Sequence, residues 1–254
     1  MDEIRVIRSQ TFSEYPSIVF GFSTRIGSVS PEPHAQDSSL SVGDDHGSVV
    51  EDRRRFLETL KVPSDRLGIP GQSHSTAVRR VTHPGEYANC DALITEQKGV
   101  YLMVSVADCI PLFMYDPSKH VIAAVHVGWR GSASGIVKQT MGVLREEFVT
   151  APEDLVVYLG PSARACCYEV GEDVASKFPP QFLQPKSPGK LLLDLTGVTR
   201  AELIQNGVRE DRIEEDGHCT ICTPELFCSY RRDGERSGRM MGVIGISPEF
   251  SHIA

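Results

Sequence analysis

The sequence predicts an α/β or α+β layered fold built on a mixed β-sheet. Three observations predict it: runs of β-branched and aromatic residues that stay apolar at almost every position, helical patterns between those runs, and a length that supports a substantial core. The 254 residues, 40% of them hydrophobic, fit either two small domains or one large one at roughly 150 residues per domain. One large domain is expected, because no segment beside a linker has enough independent core to stand alone.

The first strand-like run is Ile18 to Phe22. A helix follows the turn GDDHG and includes Val49, Val50, Arg53 and Leu57. Strand-like runs recur at Val100 to Val106, Leu112 to Tyr115, Val121 to Val127 and Leu155 to Leu159, nearly all apolar, as strands covered on both faces are. The clearest helix runs from about Ser132 to Phe148, where Ile136, Val137, Thr140, Met141, Leu144 and Phe148 share one side. Pro179 to Gly189 is expected to be a surface loop, since its four prolines can continue neither a helix nor a central strand. A last helix starts near Thr196 and ends at Asn206-Gly207, and Met240 to Ile246 reads as the final strand.

Charge narrows the function. With 26 Lys+Arg against 34 Asp+Glu, the net charge is −8, and the clustered positive charge that holds nucleic acid or an anionic membrane is absent. The Arg53 to Arg55 triplet reads as a solvated helix face. No run approaches the roughly 20 apolar residues of a membrane span, and the N-terminus lacks a signal-peptide pattern, so a cytoplasmic protein is expected. Seven cysteines, an odd number with no export signal, argue against a disulfide framework.

Three residues end strand-like segments: His74 in GQSHS, Cys109 in SVADCIPLF and His126 in AAVHVGWRG. Imidazole and thiolate suit zinc and copper, and two His with one Cys leave a tetrahedral ion one open position. The alternative at this point is two hydrogen-bonded histidines and one buried cysteine. Loops just past strand ends are where sites of layered folds gather. Gly128-Trp129-Arg130-Gly131 is expected to open the long helix and set backbone N–H groups and Arg130 beside His126 as an anion site; a plain strand-to-helix turn is the competing reading.

The segments GFSTRIGSVS (21–30), GQSHS (71–75), CDALIT (90–95), VSVADCIPLFMYDP (104–117), VIAAVHVGWRGSASGIV (121–137), LGPSARACCYEVGEDV (159–174) and CTICTPELFCSYRRDGERSGRMMGVI (219–244) resemble the YfiH/YlmD family. This laccase-domain family is also labelled multicopper polyphenol oxidoreductase and purine nucleoside phosphorylase. The resemblance implies an α+β fold, a single α/β/β/α domain over residues 1–254 with mixed sheets. It also implies a metal, zinc with copper as the alternative, held by His74, Cys109 and His126. The implied chemistry is phosphorolysis of purine nucleosides (adenosine, inosine, guanosine, methylthioadenosine), with deamination of adenosine. The implied partners are therefore a purine nucleoside and phosphate, with no nucleic acid and no membrane.

Deamination needs a proton-shuttling carboxyl beside an activated water, and Asp108 and Glu169 are the candidates. Phosphorolysis needs a phosphate cradle, for which Arg25 and Arg130 are candidates. Gln72, Tyr230 and Arg231 are further candidates for contact with substrate. Departures from the family pattern are Gly27-Ser28 for a Gly-Gly, the shortened Leu40-Ser41-Val42-Gly43, and Ser73 before the His74 ligand. Cys219-Thr220-Ile221-Cys222 is a CxxC pair with no second CxxC to complete a zinc knuckle, so it is expected to be a buried turn, and Cys166-Cys167 to be small buried residues. His34, His46, His83, His120 and His252 read as surface histidines. Two other functions compete: a copper-dependent oxidase of phenols, and a metal-free hydrolase or amidase acting on peptidoglycan precursors, with Cys109 as nucleophile and His126 as base.

Overall fold

The computed structural model describes residues 3–29 and 46–249. The chain opens with β1 (Val6–Ile7), α1 (Gln10–Ser13), β2 (Ile18–Ser23) and α2 (His46–Thr59). Four short strands follow: β3 (Leu67–Gly71), β4 (Val78–Arg80), β5 (Gly85–Ala88) and β6 (Ala92–Thr95). The long strands β7 (Tyr101–Val106), β8 (Ile110–Asp116) and β9 (Val121–Val127) lead into α3 (Trp129–Ala133) and α4 (Ile136–Phe148). Then come β10 (Val156–Leu159), β11 (Glu169–Gly171), α5 (Glu172–Ala175), β12 (Leu183–Ser187), β13 (Lys190–Leu193) and α6 (Leu195–Gln205). The chain continues through β14 (Ile213–Glu215) and α7 (Tyr230–Asp233) to β15 (Met240–Ile246).

Two six-stranded mixed sheets result, ordered β1-β2-β15-β7-β3-β5 and β14-β10-β8-β9-β6-β4. They pack face to face because alternate residues of each strand point opposite ways. Phe113 and Tyr115 of β8, Ile122 and Ala124 of β9, and Val104 and Val106 of β7 fill the space between the sheets. The residues between them face outward onto helices. On the second sheet, Leu112, Met114, Ala123 and Val125 meet Ile136, Met141 and Leu144 of α4 and Val198 and Leu203 of α6. On the first, Met103, Met241 and Val243 meet Phe56 and Leu57 of α2. Burial on both faces is why these strands are apolar without alternation. The layers are helix, sheet, sheet, helices, as the resemblance implies.

Two expectations need correction. The helix expected from Ser132 is broken: α3 stops at Ala133, Gly135 adopts φ 87°, and α4 begins at Ile136. The proline-rich loop expected at Pro179 to Gly189 contains β12, an edge strand of a small sheet ordered β11-β13-β12. Its ladder shifts register between Pro185 and Ser187, which is how an edge strand accommodates a proline without a donor. Leu40 to Gly43, His34 and His252 lie outside the described residues. Among the described residues, no helix is long and apolar enough to cross a membrane.

β15 runs between β2 and β7, and its Gly242 faces the aromatic layer between the sheets. A Cβ there would stand 2.5 Å from Phe113 Cζ and 3.1 Å from Phe22 Cδ2. Phe113 cannot yield easily, since its ring packs edge-on against Phe20 with centroids 5.1 Å apart. Gly242→Ala should therefore destabilise the fold by about 1–3 kcal/mol. Gly142→Ala, on α4 with open space around its Cβ position, should instead stabilise it by up to about 1 kcal/mol. Urea denaturation of the two variants checks both signs.

Candidate metal centre

The chain passes from the first sheet to the second three times at one end of the sandwich: between β3 and β4, between β5 and β6, and between β7 and β8. Each crossing turns sharply through a non-glycine residue in the left-handed region: His74 (φ 60°), Asn89 (φ 54°) and Asp108 (φ 82°). The first crossing thus carries His74, the second ends at Asp91, and the third presents Cys109. His126 comes from β9, on the face turned toward the other sheet.

Strand register completes the assembly. Ala92 pairs with Val125, so Asp91 lies across from His126; Ile110 pairs with Val127, so Cys109 lies across from Gly128. The potential ligand atoms of His74, Cys109 and His126 all lie within 4.8 Å of one another, with Cys109 Sγ 3.9 Å from His74 Nε2. His126 is buried, Cys109 is partly exposed and His74 is exposed, so the cluster opens to solvent on the His74 side. A Cβ on Gly128 would sit 2.7 Å from His74 Cδ2 and 3.1 Å from Cys109 Sγ. Glycine is required there by space, not by backbone angle, since its φ is −86°.

Asp91 organises this cluster, and the sequence reading assigned it no role. Its carboxylate is fully buried and accepts from the backbone N–H groups of Ser73 (3.2 Å), His74 (3.0 Å) and Ser75 (2.7 Å) and from the Ser75 hydroxyl (2.8 Å). His126 Nδ1 also donates to it at 2.8 Å, which leaves Nε2 free to face the other donors. Burial alone would raise the Asp91 pKa, but these hydrogen bonds, led by those of His126 and Ser75, hold it far below the usual carboxylate range. The signal available in the sequence was one acidic residue directly ahead of the apolar run Ala92 to Thr95.

The same neighbours perturb the donor groups Cys109 and His126. Burial pushes the Cys109 thiol up, yet the charge and hydrogen bond of His126, with help from His74, bring it down to about 6. Burial likewise opposes protonated His126, while the Cys109 thiolate and Asp91 raise it to about 9. The two form a thiolate–imidazolium pair near neutral pH. Thiolate and imidazole are the donors that zinc and copper take, and the glycine-walled space fits a single ion. His74, Cys109 and His126 would hold it.

The other expected residues are distributed unevenly. Asp108 is buried, its oxygens accepting from Thr220 Oγ1 at 2.6 Å and from the Arg231 backbone N–H at 2.7 Å, so it fixes the turn before Cys109. Arg231 also donates to the Glu169 carbonyl at 2.8 Å and stacks over Tyr168, 4.7 Å from the ring centroid. Tyr168, another residue given no role from sequence, is pushed up to about 12 by burial and by its neighbour Cys109. The Glu169 carboxylate is turned to Lys186 (2.9 Å) and Lys190 (3.4 Å) and is not among the donor atoms gathered at the cluster. That placement does not support a proton shuttle there.

Both ends of the Gln72 amide are taken by the Ser105 backbone, at 2.7 and 2.8 Å, so Gln72 positions the His74 turn. Arg25 donates to the Pro224 carbonyl at 2.8 Å, and its backbone N–H bonds Leu226. Tyr230 is exposed beneath Arg239. Arg130 is exposed and stacked 4.2 Å from the Trp129 ring centroid, on a helix of only five residues instead of the long one expected. The cysteine expectation is corrected too: Cys166 and Cys222 are exposed and Cys167 is partly so, while Cys219 alone of the four is buried.

Residues 19–247 match the family described as multi-copper polyphenol oxidoreductase laccase. The chain is 34% identical over 255 residues to purine nucleoside phosphorylase YlmD of Geobacillus stearothermophilus, covering 93% of each chain. It is 36% identical over 236 residues to a purine nucleoside phosphorylase of Deinococcus radiodurans, covering 91% of this chain and 90% of that one. Among solved structures, YlmD from Geobacillus stearothermophilus superposes with a TM-score of 0.90 at 32% identity, over 97% of this chain and 100% of that one. The YfiH protein of Bacillus licheniformis does so with a TM-score of 0.90 at 27% identity, over 96% and 99%.

Two measurements test this geometry. Asp91→Asn replaces an all-acceptor group with one that must donate, and should weaken metal binding by about 10–100-fold in a chelator competition. In the metal-free protein, alkylation of Cys109, followed by peptide mass, should rise with pH through a midpoint near 6. In His126→Ala the midpoint should move up toward the ordinary cysteine value of about 8.5. A wild-type midpoint already at the ordinary value would contradict the pairing.

Proposed function

The chain belongs to the multi-copper polyphenol oxidoreductase laccase family, and we propose that it is a zinc-dependent purine nucleoside phosphorylase that also deaminates adenosine. The observation carrying this reading is the His74–Cys109–His126 cluster, with three donors and an open side. The names borne by relatives at 30–37% identity support the substrate class. A bound ion would supply Lewis acidity and acidify water near neutral pH, the chemistry that purine deamination requires.

Phosphorolysis breaks the bond between the purine nitrogen and the ribose anomeric carbon and forms a bond from that carbon to phosphate. The protein's part is to bind phosphate, orient the sugar and aid departure of the base. Arg231, held over Tyr168, and the exposed Arg130 are assigned to phosphate. The buried Tyr168 phenol, protonated at neutral pH as tyrosines are, can donate a hydrogen bond to substrate. Asp108 holds the Cys109 turn, its carboxylate accepting from Thr220 and the Arg231 N–H, and the proton relay assigned to it rests on its place beside Cys109 in the chain. Adenosine, inosine, guanosine and methylthioadenosine share the purine and ribose features that such a site reads.

One observation favours a second reading. Asp91 orients His126 beside a thiolate, as in a Cys–His–Asp nucleophilic triad, which would serve a metal-free hydrolase or amidase. A multi-copper oxidase is less well served, because among the described residues the remaining group of metal donors contains cysteines alone.

Base release from adenosine, with and without phosphate, separates the readings when run on protein of known metal content. Phosphate-dependent adenine release that is abolished by chelation and by Cys109→Ala is the expected result. No turnover by the zinc-loaded protein would overturn the reading, and an amidase that survives chelation would establish the second.

A further inference from the structure

The remaining group of donors consists of Cys166, Cys167, Cys219 and Cys222, whose sulfurs all lie within 4.8 Å of one another. Two come from the loop after β10 and two from the loop after β14, so the CxxC pair is completed by a vicinal pair more than fifty residues earlier in the chain. Main chain and side chains hold the loops together: Ser162 and Cys219 form a parallel bridge, Thr220 N–H donates to the Ser162 carbonyl at 3.0 Å, and the Arg164 guanidinium pairs with the Glu215 carboxylate. We propose that these four cysteines bind a zinc ion in a closed tetrathiolate site, separate from the His74–Cys109–His126 cluster.

Geometry and donor type point to one tetrahedral ion that takes four thiolates, for which zinc is the proposed occupant. Zinc–thiolate bonds of about 2.3 Å in a tetrahedron place the sulfurs about 3.8 Å apart. The Cys166 and Cys222 sulfurs stand 3.9 Å apart. A disulfide would need about 2.05 Å, and all four cysteines are free. An iron–sulfur cluster needs more room, because two or more irons and their bridging sulfides would lie between opposite thiolates. Calcium and magnesium take oxygen donors, and this group offers none.

The site would act as a clip. Thr220, inside the CxxC loop, donates to Asp108, and Asp108 forms the turn that presents Cys109. An ion on the four sulfurs would therefore fix the loop that braces the first centre. The inference rests on the sulfur geometry and stands whatever reaction the first centre performs.

The test uses the full-length protein, stripped of metal, titrated with zinc under anaerobic reducing conditions and desalted before elemental analysis. Wild type should retain about two zinc ions per chain, and either His74→Ala/Cys109→Ala or Cys166→Ser/Cys222→Ser about one. X-ray absorption at the zinc edge of His74→Ala/Cys109→Ala should show four sulfurs at about 2.3 Å and no nitrogen. If that variant fails to fold, cobalt-loaded wild type should still show the intense thiolate charge transfer of a tetrathiolate site. Zinc retention undiminished by Cys166→Ser/Cys222→Ser, nitrogen or oxygen ligands in the triad-deficient variant, or a disulfide among these cysteines under the reducing conditions would overturn the proposal.

Discussion

Burying a carboxylate without partners costs several kcal/mol, on the order of the whole stability margin of a domain, and Asp91 is fully buried. That constraint shapes one end of the molecule. To keep the charge, the chain must bring donors to it, and it does so by folding the Ser73–Ser75 turn around one side and setting His126 against the other. The turn that satisfies Asp91 is the turn that carries His74. The ring that satisfies Asp91 is thereby fixed in the tautomer whose other nitrogen is open to a metal or to Cys109. The same hydrogen bonds that make the charge tolerable therefore build the site.

Strain is distributed along the same edge. His74, Asn89 and Asp108 sit at positive φ, a conformation costing on the order of 1–3 kcal/mol each for residues with a Cβ. It is offset at His74 by the bond from its backbone N–H to Asp91, and at Asp108 by the Thr220 hydroxyl and the Arg231 N–H. The three crossings between sheets thus converge on one small region. Gly128 keeps the space inside that region free, and a single methyl group there would collide with two of the three candidate donors.

The parts of the fold that could be read from sequence are those whose burial is complete. The runs at Val121 to Val127 and Met240 to Ile246 coincide with β9 and β15, because a strand covered by a sheet on one face and a helix on the other must be apolar throughout. Of the short strands, β3 to β5 are half exposed in places, include Pro70 and Gly85, and show no period. β6 is fully buried, but four residues are too few to mark a strand by themselves. Those are the strands that deliver His74 and Asp91, so the candidate ligands could be named as residue types at strand ends while the carboxylate binding them together could not. Gly135 broke a helix whose apolar face alone gave no warning. The cysteine group was missed for a different reason: local spacing shows a CxxC pair, but only the pairing of loops after β10 and β14 reveals the other two thiols.

The central claim is that Asp91 and the three sheet crossings build a metal-binding cluster from His74, Cys109 and His126. Anomalous diffraction from crystals of the zinc-loaded protein, collected on both sides of the zinc edge, tests it most directly. The account predicts an anomalous difference peak within bonding distance of His74 Nε2, Cys109 Sγ and His126 Nε2, with Asp91 still bonded to His126 Nδ1. Density without an anomalous peak there, with the Cys109 sulfur free and paired only to His126, would contradict it.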